Sequence, residues 1–135
     1  MVLRKRKQGD RLLTDVELEL MTIIWNQGKT TVKEVADALP KTRPLAYTSV
    51  ATVMKILEQK GYLRCRKHSH AHTFSPLVEK AAYEKSYLEH VVDNVFDGEP
   101  VALVQRLLTA KRLSAAELRA IEATLQELVT TKKQP

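Results

Sequence analysis

Breakers divide the first 61 residues into three helical lengths, and that punctuation limits what the chain can build. Gly28 ends the first length, Pro40 and Pro44 in "PKTRP" separate the second from the third, and Gly61 stops the third. Proline lacks the N–H that a helix interior needs, and glycine enters the left-handed region at least cost. The first two lengths open on one signature: Thr14 with Glu17 three positions on, then Thr31 with Glu34. A threonine hydroxyl accepting from the third helical N–H, with the glutamate reaching back to the cap, satisfies two donors that a helix start leaves unpaired. The apolar stripe Val16, Leu20, Ile23 and Ile24, widened by Leu18, Met21 and Trp25, recurs at helical spacing. The pattern predicts helices over about Asp15–Asn26, Val32–Leu39 and Leu45–Lys60.

From Tyr62 the period falls to two. "YLRCRK" sets Leu63 and Cys65 against Arg64 and Arg66, and "AHTFS" sets His72 and Phe74 against Ala71 and Thr73. This predicts two strands of a hairpin, closed by Pro76. The turn near Ser69 and His70 lacks the Asn-Gly or Asp-Gly pair of a tight type I′ turn, so the register stays open. Beyond it the composition is helical: Val78–Phe96, then Val101–Leu108 after Gly98 and Pro100, then a helix capped by Ser114 with Glu117 and running to about Val129. So small a bundle is marginal alone, and pairing with a second copy is a natural way to bury its stripes.

Charge follows the same division. Within a total of +6, residues 1–78 carry +7 and residues 79–135 carry −1. That suits a polyanion-binding module joined to an electrically balanced one. Charge alone does not separate this from a solvated surface that happens to be basic.

Three helices followed by a basic hairpin is the order of a winged helix-turn-helix. The expected fold is therefore mainly α with a small β-hairpin: a basic flexible arm over 1–12, a winged helix-turn-helix over 13–78, a three-helix dimerisation domain over 79–130 and a tail over 131–135. On the third helix Thr48, Thr52, Lys55 and Gln59 fall within a sector of roughly 60 degrees, opposite Ala46, Val50, Val53, Met54 and Leu57. Short hydroxyls let a helix approach base edges in a major groove, and threonine methyls can touch a thymine methyl. Ser49 flanks this sector, and Lys55 lies where a longer side chain reaches a phosphate. Arg43 before the helix, and Arg64, Arg66 and Lys67 on the hairpin, add backbone contacts. Hydroxyls are also tolerated in the first turns of an ordinary helix, where they assist capping.

The stretches "LTDVELELMTIIWNQGKTTVKEVADALP", "LAYTSVATVMKILEQKGYL" and "FSPLV" resemble the penicillinase-repressor family of transcriptional repressors, the BlaI/MecI/CopY type. The resemblance runs from about Leu13 to Leu128 and includes the first helix ending in Trp25, the Ala46-Tyr47-Thr48 opening, the Gly61 stop and "FDGEPVALVQRLL", in order. It implies a homodimer binding a palindromic operator in double-stranded DNA. Recognition would fall to Thr48, Ser49, Thr52 and Lys55, and dimerisation to apolar residues of the last three helices: Leu88, Val92, Val95, Leu103, Leu107, Leu118, Ile121 and Leu125. Two features depart from the family. Arg106-Leu107 stands where antibiotic-resistance members carry a cleavable Asn-Phe pair, and a single cysteine cannot supply the paired Cys-x-Cys motifs of copper-responsive members.

"HSHAH" places His68, His70 and His72 at alternate positions. With Cys65 they could be read as metal ligands, but a turn interrupts their spacing and the expectation is a wing tip facing phosphate or solvent, without metal or cofactor. Cys65 alternates with arginines and should point inward as a small hydrophobe. No nucleophile elbow, phosphate-binding glycine loop or paired-His zinc motif occurs, so no enzyme is expected. No stretch resembles a signal peptide or a membrane span, which points to a cytoplasmic protein with no membrane partner. A basic winged module for protein interaction or RNA binding is the competing reading.

Overall fold

The first capping box forms in full: the Thr14 hydroxyl accepts from the Glu17 N–H at 3.3 Å, and Glu17 Oε1 accepts from the Thr14 N–H at 2.8 Å. It starts α1 (Asp15–Gln27), followed by α2 (Val32–Ala38), α3 (Tyr47–Gln59), β1 (Leu63–Lys67), β2 (His72–Pro76), α4 (Lys80–Val95), α5 (Pro100–Thr109) and α6 (Ala115–Lys133). These elements belong to a computed structural model that describes residues 12–43, 45–68, 70–110 and 112–133. The arm expected over 1–12 lies outside the described residues apart from Leu12, as do Pro44 and Ser69. α6 corrects the tail expected from residue 131, since "TTKK" contains no breaker and the helix continues to Lys133. Gln134 and Pro135 lie outside the described residues.

α3 ends as Gly61 requires. The Gly61 N–H donates to Glu58 O at 3.0 Å and the Tyr62 N–H to Leu57 O at 2.9 Å, with Gly61 at φ 87°. These two bonds make a Schellman cap, and Leu57 and Tyr62, the positions whose apolar contact usually accompanies it, are both fully buried in the core. The cap turns the chain straight into β1. Gly61→Ala should lower stability by about 1–2 kcal/mol, the cost of a left-handed Cβ, read as an earlier urea midpoint with unchanged slope.

α1 buries Glu17, Leu20, Met21 and Ile24, while Val16 and Ile23 are only half-buried, so its inward face is rotated from the expected stripe. Leu20, Met21 and Ile24 join Val35, Val50, Met54, Leu57, Tyr62, Leu63 and Phe74 in one core. α2 packs on α3, α1 contacts both, and the hairpin contacts α3 and α1. The strands pair antiparallel from Leu63 opposite Pro76 to Lys67 opposite His72. A residue that carries no motif in the sequence fastens the hairpin down. Thr30, buried between α1 and α2, exchanges backbone hydrogen bonds with Phe74 at 2.9 and 2.7 Å. Three helices with a hairpin laid back against them form the expected winged helix-turn-helix.

The chain divides into two compact units after Leu88, inside α4, rather than at 78/79. The start of α4 belongs to the first unit because Tyr83 completes its core. The Tyr83 ring is buried, with Trp25 and Tyr62 at centroid distances of 5.9 and 6.0 Å, and its hydroxyl accepts from the Leu13 N–H at 3.2 Å. Trp25 Nε1 donates to Val78 O at 2.9 Å nearby. In the second unit no described residue is buried. Its helices are well started, by Pro100 in the first turn of α5 and by a reciprocal Ser114–Glu117 cap on α6. Yet Val95, Val101, Leu107 and Leu125 are each more than half exposed.

Candidate nucleic-acid interface

α3 separates its faces as its sequence pattern requires. Val50, Met54 and Leu57 are fully buried, whereas Thr48, Ser49, Thr52, Lys55 and Gln59 are all exposed. Ala46 leaves the apolar side and serves as the N-cap, exposed and without a side-chain hydrogen bond. The Thr52 hydroxyl donates to Thr48 O at 2.9 Å. That bond uses its only proton, so Thr52 meets the outside as an acceptor and a methyl group.

The basic candidates are distributed unequally. Along β1, alternate side chains point to opposite faces. Lys67 shares the face of Cys65 and lines, with Lys55, a cavity between α3 and the hairpin; exposed Arg64 and Arg66 project from the other face. Lys55 and Lys67 are thus brought together, and the two arginines are not. Arg43 is exposed but engaged: its Nε donates to both Glu19 oxygens at 2.8 and 3.1 Å, and the partnership raises its pKa. Arg43 therefore starts from an ion pair with α1, which nothing in the local pattern around "PKTRP" signals.

The contact that holds α3 against α1 is likewise absent from the sequence pattern. Lys60 Nζ lies 2.6 Å from Glu17 Oε1, with both side chains almost buried. Burial acts to raise the Glu17 pKa, but the hydrogen bond and charge of Lys60, with the bonds to Thr14, outweigh it and hold the carboxyl below its ordinary value. Glu17 thus serves two ends at once: it caps α1 and fixes the C-terminal end of α3. Glu17 comes inward because the buried face of α1 is rotated from the Val16, Leu20, Ile23 stripe, and a carboxylate placed there needs a cation.

Cys65 is half-buried against the core, and burial pushes its thiol pKa up, consistent with a small hydrophobe facing inward. His68, His70 and His72 are exposed, and the His68 N–H donates to Ala71 O at 3.1 Å across the turn. His72 is exposed at the start of β2, on the strand face that also carries buried Phe74, and all three histidines line the cavity beside Lys55 and Lys67. Among the described residues no group of three His, Cys, Asp or Glu side chains is placed to hold a metal ion. None of their helices is long and apolar enough to cross a membrane.

Known proteins resemble this chain along most of its length. The penicillinase repressor of Bacillus licheniformis is 25% identical over 122 residues, spanning 90% of this chain and 95% of that protein. The transcriptional regulator BlaI of Mycobacterium tuberculosis is 29% identical over 119 residues, spanning 86% of this chain and 84% of its own. The solution structure of the DNA-binding domain of the repressor BlaI is 27% identical, with a TM-score of 0.48, and covers 60% of this chain and 94% of that one. Residues 13–127 match the family described as penicillinase repressor, and the chain belongs to that family.

Proposed function

We propose that this protein is a transcriptional repressor that binds a palindromic operator in duplex DNA as a homodimer in the cytoplasm. The observation that carries the reading is the exposed hydroxyl face of α3, backed by three fully buried apolar residues that hold it in position. A helix whose outward side chains are this short can sit deep in a major groove, with residues near its start reaching base edges. Thr52, with its proton already given to Thr48 O, suits a base that presents an amino group or a methyl. Lys55 and Lys67 meet phosphate, as do the first-turn N–H groups of α3, which no side chain caps. Arg43 can join them by leaving Glu19, since an exposed ion pair is weakly held.

Two copies would place their α3 helices about one helical turn of DNA apart. Repression then follows from occupying the site, and no catalytic step is involved. The release mechanism is separate. Arg106-Leu107 sits within α5, in place of the Asn-Phe pair of the cleavable repressors that the chain resembles.

The test is a gel-shift series across salt with a palindromic duplex, a random duplex and RNA. Thr52→Ala should relax base preference at one position of each half-site. Lys55→Ala should weaken every duplex alike and reduce the salt slope by about one for each phosphate no longer neutralised. Equal binding to all three nucleic acids would overturn the reading and favour an RNA or general polyanion module.

A further inference from the structure

Between α3, the hairpin and the start of α2 lies an open-sided cavity of about 760 Å³, within the range of roughly 300–1,000 Å³ usual for small-ligand sites. Its α3 wall is a stripe of its own. Tyr47, Ala51 and Glu58 recur at helical spacing about 90 degrees round from the hydroxyl face, and Lys55 lies between the two. The space exists because Ala51 and Cys65 are small where helix and hairpin face each other, while Phe74 is turned down into the core. Both walls are anchored: α3 by its buried face and by Lys60–Glu17, the hairpin by the Thr30–Phe74 bonds. The cavity is therefore preformed.

Its chemistry is two-sided. Ala51, Cys65 and Phe74 supply an apolar floor, and the rim carries Lys33, Lys55 and Lys67, with the imidazoles of His68, His70 and His72 at the hairpin end, against one carboxylate, Glu58. The Lys33 ammonium has an exposed partner, Asp37 at 3.4 Å, a pair loose enough to be exchanged. The raised pKa of Cys65 keeps its thiol neutral, so the floor adds no negative charge. A DNA backbone offers phosphates to the rim but no apolar group to the floor.

We propose that this cavity binds a small organic acid with an apolar body, and that its occupation competes with DNA for Lys55 and Lys67. Such a site would give the repressor a release mechanism requiring neither cleavage nor copper. The competition rests on the reading of α3 as the DNA-facing helix; the binding does not.

The probe is 1-naphthoate, titrated into the full chain and followed by the amide NMR shifts of Ala51, Cys65 and Phe74. Saturable shifts with a Kd of about 1 mM or tighter are expected for an acid of this size. 1-Naphthylmethanol, the same body without the charge, should bind at least about tenfold more weakly. At constant ionic strength, set with sodium chloride because duplex binding is itself salt-sensitive, saturating naphthoate should weaken operator binding about tenfold or more. Ala51→Met should fill the cavity and abolish the shifts with amide dispersion elsewhere retained, and Lys33→Gln should weaken them without touching the core. Absence of shifts in the wild-type chain, or shifts that survive Ala51→Met, would overturn the proposal. Naphthoate binding without loss of duplex affinity would overturn the competition while leaving the DNA reading intact. Naphthoate binding in a chain that binds no duplex would support the cavity and overturn the reading of α3.

Discussion

Lys60→Met should be among the most damaging single changes in the N-terminal unit, costing about 3–5 kcal/mol by analogy with other broken buried ion pairs. Methionine keeps the length and apolar stem of the lysine, so packing changes little. The variant removes the 2.6 Å contact that neutralises Glu17, leaving a carboxylate almost out of water and still bonded to the Thr14 cap. Chemical denaturation should show the loss directly. Glu17→Gln/Lys60→Met should be less damaging than Lys60→Met alone, because the double variant buries no charge.

The pH dependence gives an independent check. The folded-state pKa of Glu17 lies below its ordinary value, so the unfolded chain binds its proton first as pH falls. The pair's contribution is therefore complete above the usual carboxylate range, about pH 4.3 for a free glutamate, and is lost as pH falls through the lower folded value. Without Lys60, burial is the largest influence left on Glu17, opposed by the bonds to Thr14. Burial then favours the protonated acid, and the deficit of Lys60→Met relative to wild type should narrow toward acid pH. A deficit independent of pH between neutrality and about pH 4 would show that Glu17 carries no such charge.

The second large effect concerns the opposite end of the chain. Leu125 is 58% exposed on α6, so Leu125→Glu places a charge where a single chain can keep it in water. Were the second unit sufficient alone, the substitution would be almost silent. If the stripe pairs with a second copy, the charge falls in an apolar interface, and the dimer should dissociate in sedimentation runs. Operator affinity should drop on the order of 10²–10⁴-fold, because each half-site is then bound without its tethered partner. An unchanged sedimentation mass would dispose of the dimer. Ile121→Glu, one turn away on α6, serves as a second reading of the same interface.

Much of this was legible in the chain because the signals are local. Thr14 with Glu17 and Ser114 with Glu117 each specify a helix start within four residues, and Gly61 specifies its Schellman end. The two-sided pattern of α3 likewise needs only the helical period to show that Thr48 and Thr52 turn away from Val50 and Met54. Even the weakness of the second unit could be anticipated, since so few residues cannot enclose three apolar stripes.

Other features depend on residues far apart in sequence. Glu17 reads as a cap until Lys60 arrives beside it, and Arg43 reads as a free phosphate ligand until Glu19 takes it. Thr30 has no local signature at all; its role is a backbone exchange with Phe74 across the fold. The division between units moves into α4 because Tyr83 reaches back to Trp25 and Tyr62. The sorting of Lys67 toward α3, with Arg64 and Arg66 turned away, follows from which face of the hairpin packs against the helices. By itself the sequence determined where helices begin and end and which side of α3 is polar, since capping and periodicity act over a few residues. Only the tertiary structure decided which charges are paired, which cations share a cavity and where one unit ends, because those outcomes depend on the packing of distant segments.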